Sequence, residues 1–270
     1  MKLLNIHRKK GKKRMSILLI LCSFFTGCSN KRGLPQNVEG VFLHNQCTEY
    51  FYNLEDRYPT NALGTCGYTA ASTLLMYYDY VYDDTLIDEK YEDRKKEPYG
   101  LYRADREVVE GMNAVDYYHF LEDTKDKYFQ SYLITMANEK YHVYNEKSSL
   151  PGVLNNGSRS RIPEYYEETH AVIDYYLYEI KGVDEKKYKT YRIKDNIRDT
   201  VIKKVMSGIP VLMSVSFNHK DSHILICYDY DEENDELYAN ALWMENYNHL
   251  KLSSCYDTMT APIVIEVVED

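Results

Sequence analysis

Three side chains in the sequence have the types and settings of a nucleophile, a base and an orienting group: Cys66, His223 and Asn240. A thiol attacks carbon usefully only as thiolate, and the start of a helix favours that anion through its N–H groups and dipole. Cys66 has this setting. The turn-rich stretch Asn61–Gly67 leads into Tyr68–Tyr80, where Ala70, Ala71, Leu74, Leu75 and Tyr78 recur at helical spacing. Gly67 and the small Ala70 and Ala71 leave room for a substrate backbone. His223 opens a β-rich run directly after the polar segment Asn218–Ser222, so its ring is free to face a cleft while Ile224, Leu225 and Ile226 enter a sheet. Asn240 follows one strand later, just ahead of Trp243, the chain's single Trp. In a Cys–His–Asn set the imidazole takes the thiol proton and later returns it to a leaving amine, while the Asn amide fixes the ring tautomer. Helix start and imidazolium together are expected to hold the Cys66 thiol well below the roughly 8.5 of an unperturbed Cys.

The elements that carry these groups separate along the chain. Helical patterning spans Asp105–Glu122, Lys127–Glu139, Pro163–Ile180 and Lys194–Met206, the last stopped by Ser207-Gly208. The segment Ser148–Arg161 is rich in Gly, Pro, Asn and Ser and reads as an exposed loop. From Pro210 the texture becomes β: Val211–Phe217, His223–Tyr230, a turn over Asp231–Asp235, Glu236–Leu242 and a last strand Ile263–Val268. Helices first and antiparallel strands last predict an α+β fold with segregated halves. No repeat and no long Pro/Gly/Ser linker follows residue 40, so one domain with insertions is expected.

Composition removes several functions. The 270 residues carry 42 Asp and Glu against 33 Lys and Arg, but seven of those basic residues lie within the first 27. The remainder therefore has 26 against 42, a net charge of −16. Such a body repels polyphosphate, and no nucleic-acid partner is expected. His219 and His223 fall in a loop and a strand rather than on one helix face, and the acidic turn Asp229–Asp235 lacks the Gly and terminal Glu of a calcium loop. No metal site and no cofactor are read. Cys47, Cys227 and Cys255 permit one disulfide with one thiol left over. The 29 Tyr residues point to aromatic surface that also hydrogen-bonds.

The amino terminus reads as an address. A basic segment, the apolar run Ile17–Phe25 and the small residues Thr26-Gly27 precede Cys28. The apolar run is about half the roughly 20 residues of a spanning helix. Phe25-Thr26-Gly27-Cys28 resembles a bacterial lipobox, with Phe where Leu is usual. That implies cleavage after residue 27 and lipidation of Cys28. The expected organisation is a signal peptide over 1–27, a polar tether over 28–45 and the globular domain over 46–270. The protein is then extracytoplasmic, held at a bacterial membrane by lipid or, alternatively, secreted.

Beyond these local readings, the runs Gly64-Thr-Cys66-Gly67-Tyr-Thr-Ala-Ala-Ser-Thr-Leu-Leu-Met-Tyr-Tyr78-Asp79, Gly208-Ile-Pro-Val211, His223-Ile-Leu-Ile-Cys-Tyr-Asp229 and Tyr238-Ala-Asn240-Ala-Leu-Trp243 resemble the papain-like cysteine peptidases. The likeness is to the peptidase C39-like branch and the secreted cysteine peptidases of Firmicutes. It covers about residues 45–80 and 190–250, leaving the helical middle aside. It implies a papain-like fold and hydrolysis of peptide bonds through a thioester on Cys66. His223 would be the base, Asn240 the orienting residue, and a peptide or protein the substrate. The family's Gln before the Cys has no counterpart in Thr60–Leu63; Asn61 is expected to replace it as oxyanion donor beside the Cys66 N–H. Cys227 also stands where the family commonly has Gly. The same set serves cell-wall peptide hydrolysis or transamidation, and an inactive peptide-binding lipoprotein is the reading from a different class. At the amino terminus, Cys28→Ser should leave the membrane fraction or remain uncleaved; normal processing with unchanged retention would remove the lipobox reading.

Overall fold

The computed structural model describes residues 36–54, 65–83, 85–96, 100–102, 114–141, 169–217, 221–242, 248–254 and 259–268. The leader, Cys28, Asn61, the loop over 148–161, His219, Trp243 and Cys255 lie outside these residues. Two compact units divide the chain, Met1–Glu39 and Gly40–Asp270, and the second holds Cys66, His223 and Asn240.

Helix α1, Gln36–Tyr52, overlaps most of the stretch expected to be a tether. Local propensity did not announce it: the segment begins polar and contains Gly40. Its later residues Leu43, Cys47, Tyr50 and Phe51 recur at helical spacing, and Cys47, Tyr50 and Phe51 are buried. Tertiary packing of that stripe holds the helix. Leu43 and His44 already contact the domain, so its packed residues begin before position 46.

Helix α2, Cys66–Val81, follows the expected pattern, and every residue from Gly67 to Asp79 is buried. A helix buried on all sides lies at the centre of its fold. Helices α3 (Ala114–Thr124) and α4 (Phe129–Tyr141) pack together, and α4 also packs on α2. Helical residues from 169 run into a wider π-type turn, Tyr175–Ile180, and α5 spans Ile197–Met206.

Strands β1 (Glu92–Lys96) and β2 (Gly100–Tyr102) form a small hairpin that no alternating apolar pattern announces. The main sheet contains β3 (Tyr188–Arg192), β4 (Val211–Phe217), β5 (Asp221–Asp231), β6 (Glu236–Asn240), β7 (Leu250–Lys251) and β8 (Met259–Val267). Its order is β3-β8-β4-β5-β6-β7, and every neighbouring pair is antiparallel. The fold is α+β. Alternation along the strands builds two cores. Leu212, Ile224, Ile226, Tyr228, Ile263 and Ile265 join α1 and α2 on one face. Val211, Met213, Val215, Leu225, Cys227 and Val264 join Val201 and Val205 of α5 on the other.

One glycine joins these layers. Gly208 ends α5 in the left-handed region, at φ +76°. A Cβ there would stand 2.4 Å from the Leu43 carbonyl carbon of α1. Its own carbonyl accepts the Tyr77 hydroxyl of α2 at 3.0 Å. Gly208→Ala should therefore lower stability by about 2–4 kcal/mol, the sum of left-handed strain and displacement of α1, as read by urea unfolding. A loss under about 1 kcal/mol would mean that α1 yields easily.

Candidate active site

Cys66 is the first residue of α2 and is half-buried. The Thr65 side chain makes no cap hydrogen bond. Its carbonyl accepts the Thr69 N–H at 2.9 Å and the Thr69 hydroxyl at 3.2 Å, which sets the peptide joining Thr65 to Cys66.

The direction of α2 follows from its far end. Tyr77 donates to the Gly208 carbonyl and Tyr78 to the Ile265 carbonyl, both at the end of the sheet where β4 begins. Cys66 lies eleven residues earlier, about 16 Å along a helix that packs against β4 and β5. On β5, Cys227 stands opposite Val211 at that same β4 start, and His223 is four residues further along, opposite Val215. That is about 13 Å in the same direction. These counts run the start of α2 and His223 towards the same end of the sheet, but His223, opposite Val215 of the second core, leaves β5 on the face that carries α5 rather than α2.

His223 is only 4% exposed. Its Nε2 lies 2.6 Å from the Ala241 carbonyl oxygen. A carbonyl only accepts, so Nε2 carries the hydrogen and Nδ1 is the basic nitrogen of the neutral ring. Burial pulls the pKa down to about 4, against a smaller upward pull from the Ala241 bond. Burial therefore favours the neutral ring near pH 6.

Asn240 ends β6 and is buried. Its Nδ2 donates to the Phe51 carbonyl at 2.8 Å, and its Oδ1 accepts the Leu242 N–H at 2.8 Å. Asn248 likewise donates to the Tyr52 carbonyl, so two Asn side chains satisfy carbonyls at the end of α1. Leu242 has φ +59°, a strained conformation for a branched side chain. This tight turn presents the Ala241 carbonyl to His223. The acceptor at Nε2 is thus main chain, one residue beyond the side chain expected to orient the ring.

A single bulge explains the difference. Asp231, Tyr230 and Asp229 face Glu236, Leu237 and Tyr238, a register that continued unbroken would set Cys227 opposite Asn240, on the face His223 occupies. Tyr228 is the extra residue: beyond it Cys227 faces Ala239 and Ile226 faces Asn240. A one-residue slip exchanges the two faces. Asn240 consequently joins Ile226 on the side of α1. A main-chain carbonyl has no sequence signature, and the bulge has no Gly to mark it.

The sequence reading also missed His44. Its Nε2 pairs with Asp229 Oδ1 at 2.9 Å and fastens α1 to β5. Burial raises the Asp229 pKa, but the His44 ring and the Tyr230 N–H outweigh it and hold the carboxylate below its ordinary value. Cys47 and Cys227 are buried and take no part in a disulfide among the described residues. Burial pushes both thiols far up, which makes them inert. Among the described residues no three His, Cys, Asp or Glu side chains are grouped to hold a metal ion, and no helix is long and apolar enough to cross a membrane. No family model and no curated protein matches the chain.

The buried ring links pH to stability. Above about pH 6.5 His223 is neutral in both folded and unfolded chains, and the folded state loses nothing by keeping it so. As pH falls towards 4 the unfolded chain takes up the proton that the folded ring refuses, so stability drops. His223→Gln retains a donor for Ala241 without titrating. The stability advantage of the native protein over this variant should shrink by about 3 kcal/mol between pH 7 and pH 4 in urea unfolding. A difference independent of pH would place the ring's pKa near its ordinary value.

Proposed function

We propose that the chain is an extracytoplasmic thiol hydrolase of the papain-like kind, acting on peptide bonds. The observation that carries the proposal is a half-buried thiol at a helix start, joined in the same domain by a His whose Nε2–H is fixed by a carbonyl. In this reading His223 Nδ1 takes the Cys66 proton as the sulfur attacks the scissile carbonyl carbon. The proton then passes to the leaving amine, and water hydrolyses the thioester. The Ala241 carbonyl holds the ring, and Asn240 acts one step removed by shaping the turn that presents it. The Cys66 N–H and Asn61 serve the oxyanion. Cys28 is the lipidated first residue of the mature protein, which a bacterial membrane retains.

A second reading, a peptide-binding lipoprotein without turnover, draws on the strand itself. Ile224 lies in the core with α2, so by alternation His223 leaves β5 on the other face and is nearly buried. Casein and purified peptidoglycan peptides, with the mature protein and variants, distinguish the readings. Hydrolysis should vanish in Cys66→Ala and fall roughly 10- to 1,000-fold in Asn240→Ala, which removes an orienting device but leaves nucleophile and base. Binding of these peptides with no Cys66-dependent cleavage would leave the binding protein as the function.

A further inference from the structure

Gln130 is the second residue of α4 and is 2% exposed. Its Nε2 donates to the Thr69 hydroxyl at 3.0 Å. Its Oε1 is buried and has no hydrogen-bond partner among the described residues. An unsatisfied buried carbonyl oxygen costs about 1–3 kcal/mol, so a Met or Leu of similar size would serve packing better. Thr69 receives the Gln130 proton on Oγ1 and gives its own hydroxyl proton to the Thr65 carbonyl. The Thr69 N–H reaches the same carbonyl. That carbonyl and the Cys66 N–H belong to one rigid peptide plane.

We propose that Gln130 is a positioning residue that, through Thr69, fixes and polarises the Thr65–Cys66 peptide so that the Cys66 N–H donates to the oxyanion formed on the substrate carbonyl oxygen as the Cys66 sulfur bonds to its carbon. Hydrogen bonds in series strengthen one another, and those accepted by a peptide carbonyl make its N–H a better donor. The gain appears only when negative charge develops on a substrate oxygen. The inference rests on Cys66 being the nucleophile of the proposed hydrolase.

Two reagents separate this role from a structural one. With p-nitrophenyl acetate, His223 Nδ1 takes the thiol proton and the sulfur bonds to the ester carbon. The carbonyl pair moves onto oxygen, and its return expels p-nitrophenolate. With iodoacetamide the same sulfur attacks a methylene carbon and iodide leaves, without an oxyanion. Gln130→Met and Thr69→Val should slow the p-nitrophenolate burst roughly 3- to 10-fold, a fraction of the 10²–10³ lost when a whole donor is deleted. Alkylation of Cys66, mapped by mass spectrometry, should keep its rate and pH profile. Thr69→Ser should restore the burst, and the double variant should be no slower than Thr69→Val alone. Equal slowing of both reactions, or an unchanged burst, overturns the assignment to Gln130. A native protein that is alkylated at Cys66 but gives no burst overturns the hydrolase reading and this inference with it.

Discussion

The fold depends on a helix buried on every side. Helix α2 has no solvent face from Gly67 to Asp79, so its position along the sheet is set by neighbours rather than by water. Apolar contact alone is non-directional and would let such a helix slide. The Tyr77 and Tyr78 hydroxyls supply the missing direction by donating to main-chain carbonyls at the end of the sheet where β4 begins, at Gly208 and Ile265. Tyr176 and Tyr228 do the same for the Leu86 and Asn248 carbonyls, at 2.6 and 2.7 Å. The abundance of Tyr over Phe thus has a mechanical meaning: the ring fills the core and the hydroxyl fixes where each element stops.

With α2 fixed, the neighbourhood of His223 is governed by backbone. The bulge at Tyr228 turns both Tyr228 and Asp229 towards α1, where one ring stacks on Phe51 and the carboxylate meets His44. The same irregularity sends Asn240 to the end of α1. One inserted residue therefore attaches the first helix of the domain and leaves ring orientation to a carbonyl. Backbone acceptors are insensitive to side-chain substitution at their own position, so Ala241 needs no polar group to fulfil this role.

Much of this arrangement was legible in the sequence, for identifiable reasons. Strands β4 and β5 and helix α2 are long, strongly apolar segments bounded by Gly, Pro or polar turns, and pattern reasoning suits such segments. Gly208 was readable as the stop of α5. Helix α1 was hidden because its first residues are polar and its support comes from Gly208, Asp229 and Tyr77, all distant in sequence. The β3 strand, YKTYR, has too few apolar residues to stand out and is held by pairing along β8. At the candidate site, residue types singled out Cys66 and His223, whereas the surroundings of the Asn240 side chain depended on a register that a bulge shifts. The Gln130–Thr69–Thr65 connection was invisible because nothing in a helical pattern tells which hydroxyl meets which neighbouring helix.

The pairing of α1 with the end of β6 also constrains how the chain is made. Phe51 meets Asn240, Tyr78 meets Ile265, and β8 lies between β3 and β4 in the sheet. Nearly two hundred residues separate the partners of each of these first two bonds. No amino-terminal fragment released early in synthesis can close the sheet or complete α1. Folding must wait for the last strand, and such long-range closure is slow. Until β8 is made, α2 lacks the Ile263 and Ile265 side chains that cover it, and β3 and β4 lack the strand that joins them.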